Sequence, residues 1–159
     1  DLIQKGILTF DKTKNDHRRV TFHDSCNVAR GSNMGDIENG QFILPREVIK
    51  AACNHFSDMP KATIKASTFC CGGGGGLLTD DLIELRIKGA MPRMQALKQS
   101  QENDGVNTLA AICAICKSQF SKVLPNYDFD PYMIVSVHQL VSDALVLSDK
   151  SQTKVENSL

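Results

Sequence analysis

VNTLAAICAIC, residues 106–116, reads as an apolar strand that runs directly into two thiols, Cys113 and Cys116. A short run of β-branched and aliphatic residues bounded by polar chain fits a buried strand. Three other stretches have the same form, 18–23 (RRVTFH), 63–69 (TIKASTF) and 132–136 (YMIVS), and each leads into a loop or a helix. That alternation predicts an α/β fold with a small parallel sheet. The carboxyl ends of parallel strands face one crevice, where open sheets build their sites. Cys26 follows the stretch at 18–23, Cys70 and Cys71 follow 63–69, and Cys113 and Cys116 follow 106–112. Three loops are therefore expected to bring five thiols to one edge.

The segments between the strands read as helices. Pro45 is tolerated as a first helical residue, and Val48, Ile49, Ala52, Cys53 and Phe56 then share one face until Pro60 blocks continuation. After Thr79, Asp80 and Asp81 suit the positive end of a helix dipole, and Ile83, Ile87, Ala90, Met94 and Leu97 form an apolar stripe that Pro92 is expected to break or kink. Val137, Leu140, Val141, Ala144 and Leu145 predict a last core-facing helix, and the polar tail 149–159 reads as frayed. No repeat or linker divides the chain. Residues 1–148 are expected to form a single small α/β domain, a short parallel sheet flanked by helices with cysteine loops at the carboxyl edge of the strands.

A chain of 159 residues buries roughly 68–70% of its unfolded surface and needs no disulfides to fold. Lys plus Arg equals Asp plus Glu at 18 each, so the global positive field of a nucleic-acid binder is missing. No window approaches the roughly 18 apolar residues of a spanning helix, and no direct membrane span is expected. The start, DLIQKGILTF, has neither an initiating Met nor a signal peptide, which reads as a processed piece or fragment of something longer.

Thiolates in such numbers select zinc or iron–sulfur clusters. A mononuclear zinc site closes with four ligands, whereas a fifth thiol and the adjacent pair Cys70–Cys71 suit a centre of several metal atoms. The run Gly72 to Gly76 can adopt positive φ and bring backbone N–H groups against such a centre, stabilising its negative charge. A phosphate loop is disfavoured, since no Gly-Lys-Ser/Thr follows. A disulfide scaffold fits poorly with the ample aliphatic content, and a thioredoxin-like role for Cys113 and Cys116 alone is weak beside the other thiols.

HDSCNVAR (23–30), FCCGGGGG (69–76) and CAIC (113–116) together resemble the CCG cysteine-rich domain of the heterodisulfide reductase catalytic-subunit family. The gaps of 43 residues between Cys26 and Cys70 and 41 between Cys71 and Cys113 are slightly longer than usual for that pattern. More narrowly, FCCGGGGGLLTDDLIELRIKGAMPRMQALK, GSNMGD and LPREVIKAACNHF are similar to the K-type subunits (DsrK) of sulfite-reductase-associated membrane complexes. The resemblance implies a noncubane 4Fe–4S cluster on Cys26, Cys70, Cys71, Cys113 and Cys116. There, sulfur–sulfur bonds of a thiol/disulfide or trisulfide carrier would be reduced or formed in dissimilatory sulfur metabolism. It further implies a DsrC-like sulfur carrier and the other subunits of a quinone-linked complex as partners, and a place at the cytoplasmic face of the inner membrane. The ferredoxin-like cysteine runs of that family are missing here, in keeping with the fragment reading. An electron relay that never meets substrate and a zinc-bound structural module are the alternatives.

Single residues are weighed in the same way. Cys53, on an apolar helix face, reads as structural. His23 and Asp24, at a strand end, suit either the centre or the capping of the next loop. Gly72, Gly73, Gly74, His23 and Arg30 are expected beside the cofactor, Arg30 balancing thiolate charge or docking an anionic partner. Arg86, Lys88 and Arg93 read as a solvated face, and His138 as a packed histidine.

Overall fold

Three strands, β1 (Val20–His23), β2 (Thr108–Ala111) and β3 (Ile134–Ser136), pair in parallel in the order β1-β2-β3, with Val20 opposite Thr108 and Leu109 opposite Ile134. The computed structural model describes residues 1–34, 37–77 and 79–147; the tail 149–159 and residues 35 and 36 of GSNMGD lie outside them. The helices are α1 (Cys26–Gly31), α2 (Gly40–Ala52), α3 (Ile83–Asp104), α4 (Ala114–Val123) and α5 (Val137–Ala144). β1 leads to α1, β2 to α4 and β3 to α5, so the chain is an α/β protein whose short parallel sheet is flanked by helices.

Alternation along the strands divides the core in two. Val20, Phe22 and Ala110 pack with Ile49, Ala52 and Leu140 from α2 and α5. Leu109 and Ala111 point the other way, against Met94, Leu97 and Phe120 from α3 and α4. Thr21 and His23 alternate with Val20 and Phe22 and so share this second face, where the His23 ring meets Phe120 edge-on at 4.8 Å.

The expected strand at 63–69 does not form. Its place is taken by two single 3-10 turns, Lys61–Thr63 and Lys65–Ser67, with Lys65 at φ 56°. Backbone groups that a sheet would pair are satisfied here by side chains. Asp24 Oδ2 accepts the Lys65 amide at 2.7 Å, and Arg93 donates to the Thr63 carbonyl. The Thr68 hydroxyl donates to the Asp24 carbonyl at 2.7 Å, closing the tie from the other side.

Two helices also differ from expectation. α2 begins at Gly40, with Pro45 inside it. Phe42 is buried, and burying that ring draws the helix a turn upstream of the proline. The helix ends at Ala52, so Cys53 caps it and Phe56 lies beyond it, bridging to Val20. α3 runs unbroken through Pro92. Pro92 and Lys88, whose carbonyl loses its partner, are both exposed, so the missing hydrogen bond lies on the solvent side. α3 stops at Gly105, which takes the left-handed conformation and donates its amide to the Gln101 carbonyl.

Candidate metal centre

Two strand ends and one tethered loop bring the thiols together. β1 ends at His23, and Cys26 opens α1 three residues later; β2 ends at Ala111, and Cys113 caps α4, with Cys116 in its first turn. Cys70 and Cys71 arrive from the loop fastened to Asp24 and Arg93. The five sulfurs form a continuous series: Cys26 adjoins Cys70, Cys70 adjoins Cys71, Cys71 adjoins Cys116 and Cys116 adjoins Cys113, each pair close enough for one thiol to influence the other's proton. All six cysteines are free thiols, and Cys53 stands apart in the other core.

Burial differs along the series. Cys71 and Cys116 are buried, whereas Cys26, Cys70 and Cys113 are partly exposed. Cys70 borders two surface recesses, one shared with Cys26, Arg30 and Phe69, the other an apolar cavity of about 220 Å³ walled by Leu77, Leu82 and Leu85. Arg30 is exposed at the rim and donates to the Thr68 carbonyl.

The thiols' acidities separate with their surroundings. The Cys71 thiol, followed by burial, pushes Cys70 up to about 12, against the backbone amides of Gly74 and Gly72. The Cys116 thiol and burial push Cys71 up to about 12, while Cys70 and the Gly73 amide act the other way. Burial and the neighbouring Cys70 raise Cys26. Burial acts to raise Cys113 as well, but the amides of Cys116 and Ile115 and the Ser25 hydroxyl outweigh it and leave that thiol more acidic than usual. The glycine turn has a steric basis: Gly72 sits at φ 89°, and a Cβ there would collide with the Arg86 carbonyl and come within 3.0 Å of the Ala90 Cβ. Its amide lies 3.3 Å from the Cys70 sulfur.

His23 is completely buried, and among the described residues neither ring nitrogen has a hydrogen-bond partner. Burial, with Arg93 nearby, holds its pKa well below the ordinary value, so the ring is neutral. A ring nitrogen and the sulfurs of Cys71 and Cys116 all lie within 4.8 Å of one another. Asp24 beside it is structural, its carboxylate gripped by Arg46 at 2.8 Å through both Nη atoms.

Arg86 and Arg93, expected on a solvated face, are buried at 2% and 0% exposure. Lys88 is exposed as expected, and so is His138, which was expected to be packed. Arg86 donates twice to Gln119 Oε1, at 2.8 and 2.6 Å, and once to the Thr79 carbonyl. The sequence signal that was available is their spacing: Arg86 and Arg93 are two turns apart with Ala90 between them, on the stripe that reaches Leu97.

A family model described as a cysteine-rich domain, CCG, matches residues 20–121. An "Hdr-like menaquinol oxidoreductase iron-sulfur subunit 2" of Archaeoglobus fulgidus is 44% identical over 147 residues, 92% of this chain and 25% of that protein. An "Hdr-like menaquinol oxidoreductase iron-sulfur subunit" of Archaeoglobus profundus is likewise 44% identical over 147 residues, with the same 92% and 25% shares. The chain thus spans about a quarter of the length of these curated relatives. No solved structure matches it. The matched span opens on the first residue of β1, closes inside α4 and takes in all five adjoining thiols: the chain belongs to the CCG cysteine-rich domain family.

Proposed function

We propose that residues 1–148 are the cluster-bearing module of an Hdr-like oxidoreductase subunit of the K type. In this reading Cys26, Cys70, Cys71, Cys113 and Cys116 hold a noncubane 4Fe–4S cluster that serves to reduce or form sulfur–sulfur bonds of a thiol/disulfide or trisulfide carrier. The observation that carries it is the unbroken series of thiols from Cys26 to Cys113, drawn from three remote segments. Five adjoining sulfurs exceed what one zinc requires. The donor set fits in two further respects. The amides of Gly72, Gly73 and Gly74 act on Cys70 and Cys71 in the direction that favours anionic sulfur. Buried His23, with both nitrogens unpartnered among the described residues, is the kind of polar group that a bound centre would satisfy.

A bound cluster supplies one-electron transfer and iron to which sulfur can bind. The chain's own part is to enclose the centre and admit the partner. Cys71 and Cys116 lie on the closed side, and Cys70 lies on the open side between the two recesses. Arg30 at the rim would favour an incoming thiolate over a thiol.

The relatives' names support an iron–sulfur redox role within a quinone-linked complex; a DsrC-like carrier and the complex's other subunits as partners, and the cytoplasmic face of the inner membrane as its place, are further parts of the proposal, on which those names are silent. Among the described residues no helix is long and apolar enough to cross a membrane. One observation favours a second reading: His23, Cys71 and Cys116 gathered within 4.8 Å would suit a mononuclear zinc site. Anaerobic reconstitution followed by metal and sulfide analysis separates the two. The first predicts about four irons and four labile sulfides, lost or remodelled in Cys70→Ser, Cys71→Ser and Cys113→Ser. One zinc per chain without labile sulfide would replace it with the second.

A further inference from the structure

Helix α3 lays Ala90 against the Cys–Cys–Gly turn and carries a buried guanidinium on either side of it. Among the described residues neither Arg86 nor Arg93 forms an ion pair with a carboxylate. Arg86 spends its donors on Gln119 and Thr79. Arg93 gives Nη1 to Met59 Sδ at 2.9 Å and Nη2 to Thr68 Oγ1 at 2.8 Å and to the Thr63 carbonyl, while its Nε has no partner among the described residues. The guanidinium carbon stands 5.8 Å from the centre of the Phe69 ring. Thr68 and Phe69 lead directly into Cys70 and Cys71, so the charge sits at the root of the thiol turn.

A charge taken this far from water is costly unless an opposite charge meets it. Asp24 is near enough to be felt by Arg93, but its oxygens are committed to Arg46 and to the Lys65 amide. The other groups within range that become anionic on holding a metal are the sulfurs of Cys71, Cys116 and Cys70. Burial pulls the Arg93 pKa down to about 10, and these groups oppose that pull.

We propose that Arg93 is the buried counter-cation of the thiolate centre, a positioning residue whose charge offsets the negative charge gathered on the five sulfurs and the metal they hold. This rests on the reading that the thiols bind a metal centre, and it adds what permits so many thiolates to be held away from water. Loss of the charge should loosen the centre. It should also lower the centre's reduction potential, because an added electron would no longer meet a nearby cation.

The test compares wild type, Arg93→Lys, which keeps the charge, and Arg93→Gln, which keeps a donor without it. Each full chain is loaded anaerobically with iron and sulfide, and metal release to a chelator and midpoint potential are read. Stability of the metal-free forms in urea is measured alongside. Arg93→Lys should release metal within about threefold of the wild-type rate, and Arg93→Gln about tenfold faster or more, with a more negative potential and metal-free stability like that of Arg93→Lys. Equal behaviour of the two variants, whether both fold or both fail, would overturn the proposal and leave Arg93 as a hydrogen-bond donor to Thr63 and Thr68. Should wild type take up Co²⁺ through its thiols but no labile sulfide, the cluster reading falls alone, and the same comparison is read from cobalt release. Uptake of neither removes both.

Discussion

Cys53 shares its chemistry with five other residues of the chain but not its surroundings. It caps α2 in the core built by Val20, Phe22 and Ile49, and burial pushes its thiol up to about 11 with no second sulfur involved. Cys53→Ala should therefore leave iron and sulfide content unchanged and cost about 1 kcal/mol in urea unfolding; loss of iron would place Cys53 in the centre. The thiols were legible from the sequence because they follow short strand-like runs within one to four residues, although the run before Cys70 and Cys71 turns instead of pairing. The arginines were not. Arg86 and Arg93 lie on the buried stripe with Ala90 and Leu97, but a pattern that counts only apolar residues assigns charge to solvent. What holds these charges inside is a set of hydrogen bonds from other segments, Gln119 and Thr79 for Arg86 and Thr63 and Thr68 for Arg93. Asp24 was left open between two roles for a related reason: its partner Arg46 lies on another element, where no spacing rule reaches.

At the scale of elements, composition misled at 63–69. TIKASTF has the β-branched content of a strand, but Asp24 and Arg93 supply the hydrogen bonds a neighbouring strand would have given, and the segment turns instead. The three true strands were found because each carries its apolar run between two packed helical layers. Prolines were over-read as boundaries. Pro92 sits in the exposed middle of α3 and removes one hydrogen bond without ending the helix. Pro92→Ala should restore that bond and stabilise the protein by about 1–3 kcal/mol, with metal content unchanged. A urea midpoint equal to or below that of wild type would mean that the proline's backbone constraint is matched to α3 and its removal gains nothing.

For the whole molecule the consequence lies in pH. In the metal-free protein the folded His23 resists protonation, so the unfolded chain binds a proton the native state refuses. Stability then falls as pH drops below about 6.5. Cys70 and Cys71 act at the other end: their thiols move from 9.0 to about 12 on folding, so the unfolded chain releases protons first. Their contribution is complete below 9.0 and declines as pH rises through and beyond that value. Urea midpoints of the reduced, metal-free protein should peak between these limits, each group adding at most about 1.4 kcal/mol per pH unit on its own limb. His23→Gln should flatten the acid limb; an unchanged limb would mean that His23 takes up its proton in the native state.

The parallel sheet also governs when the centre can exist. Thr68 meets Asp24 across 44 positions of chain, and Cys116 meets Ser25 across 91. Contacts this remote form only after long loops close, and topologies made of them are slow to fold. No pair of segments carries all five sulfurs, so the complete ligand set exists only once three remote segments have met. Throughout that search the thiols stand in water with no neighbour assigned to them, open to pairing with whichever sulfur they meet. The yield of the loaded protein is therefore decided by a race between β1–β2 pairing and oxidation, and a reductant has to outlast the slower of the two.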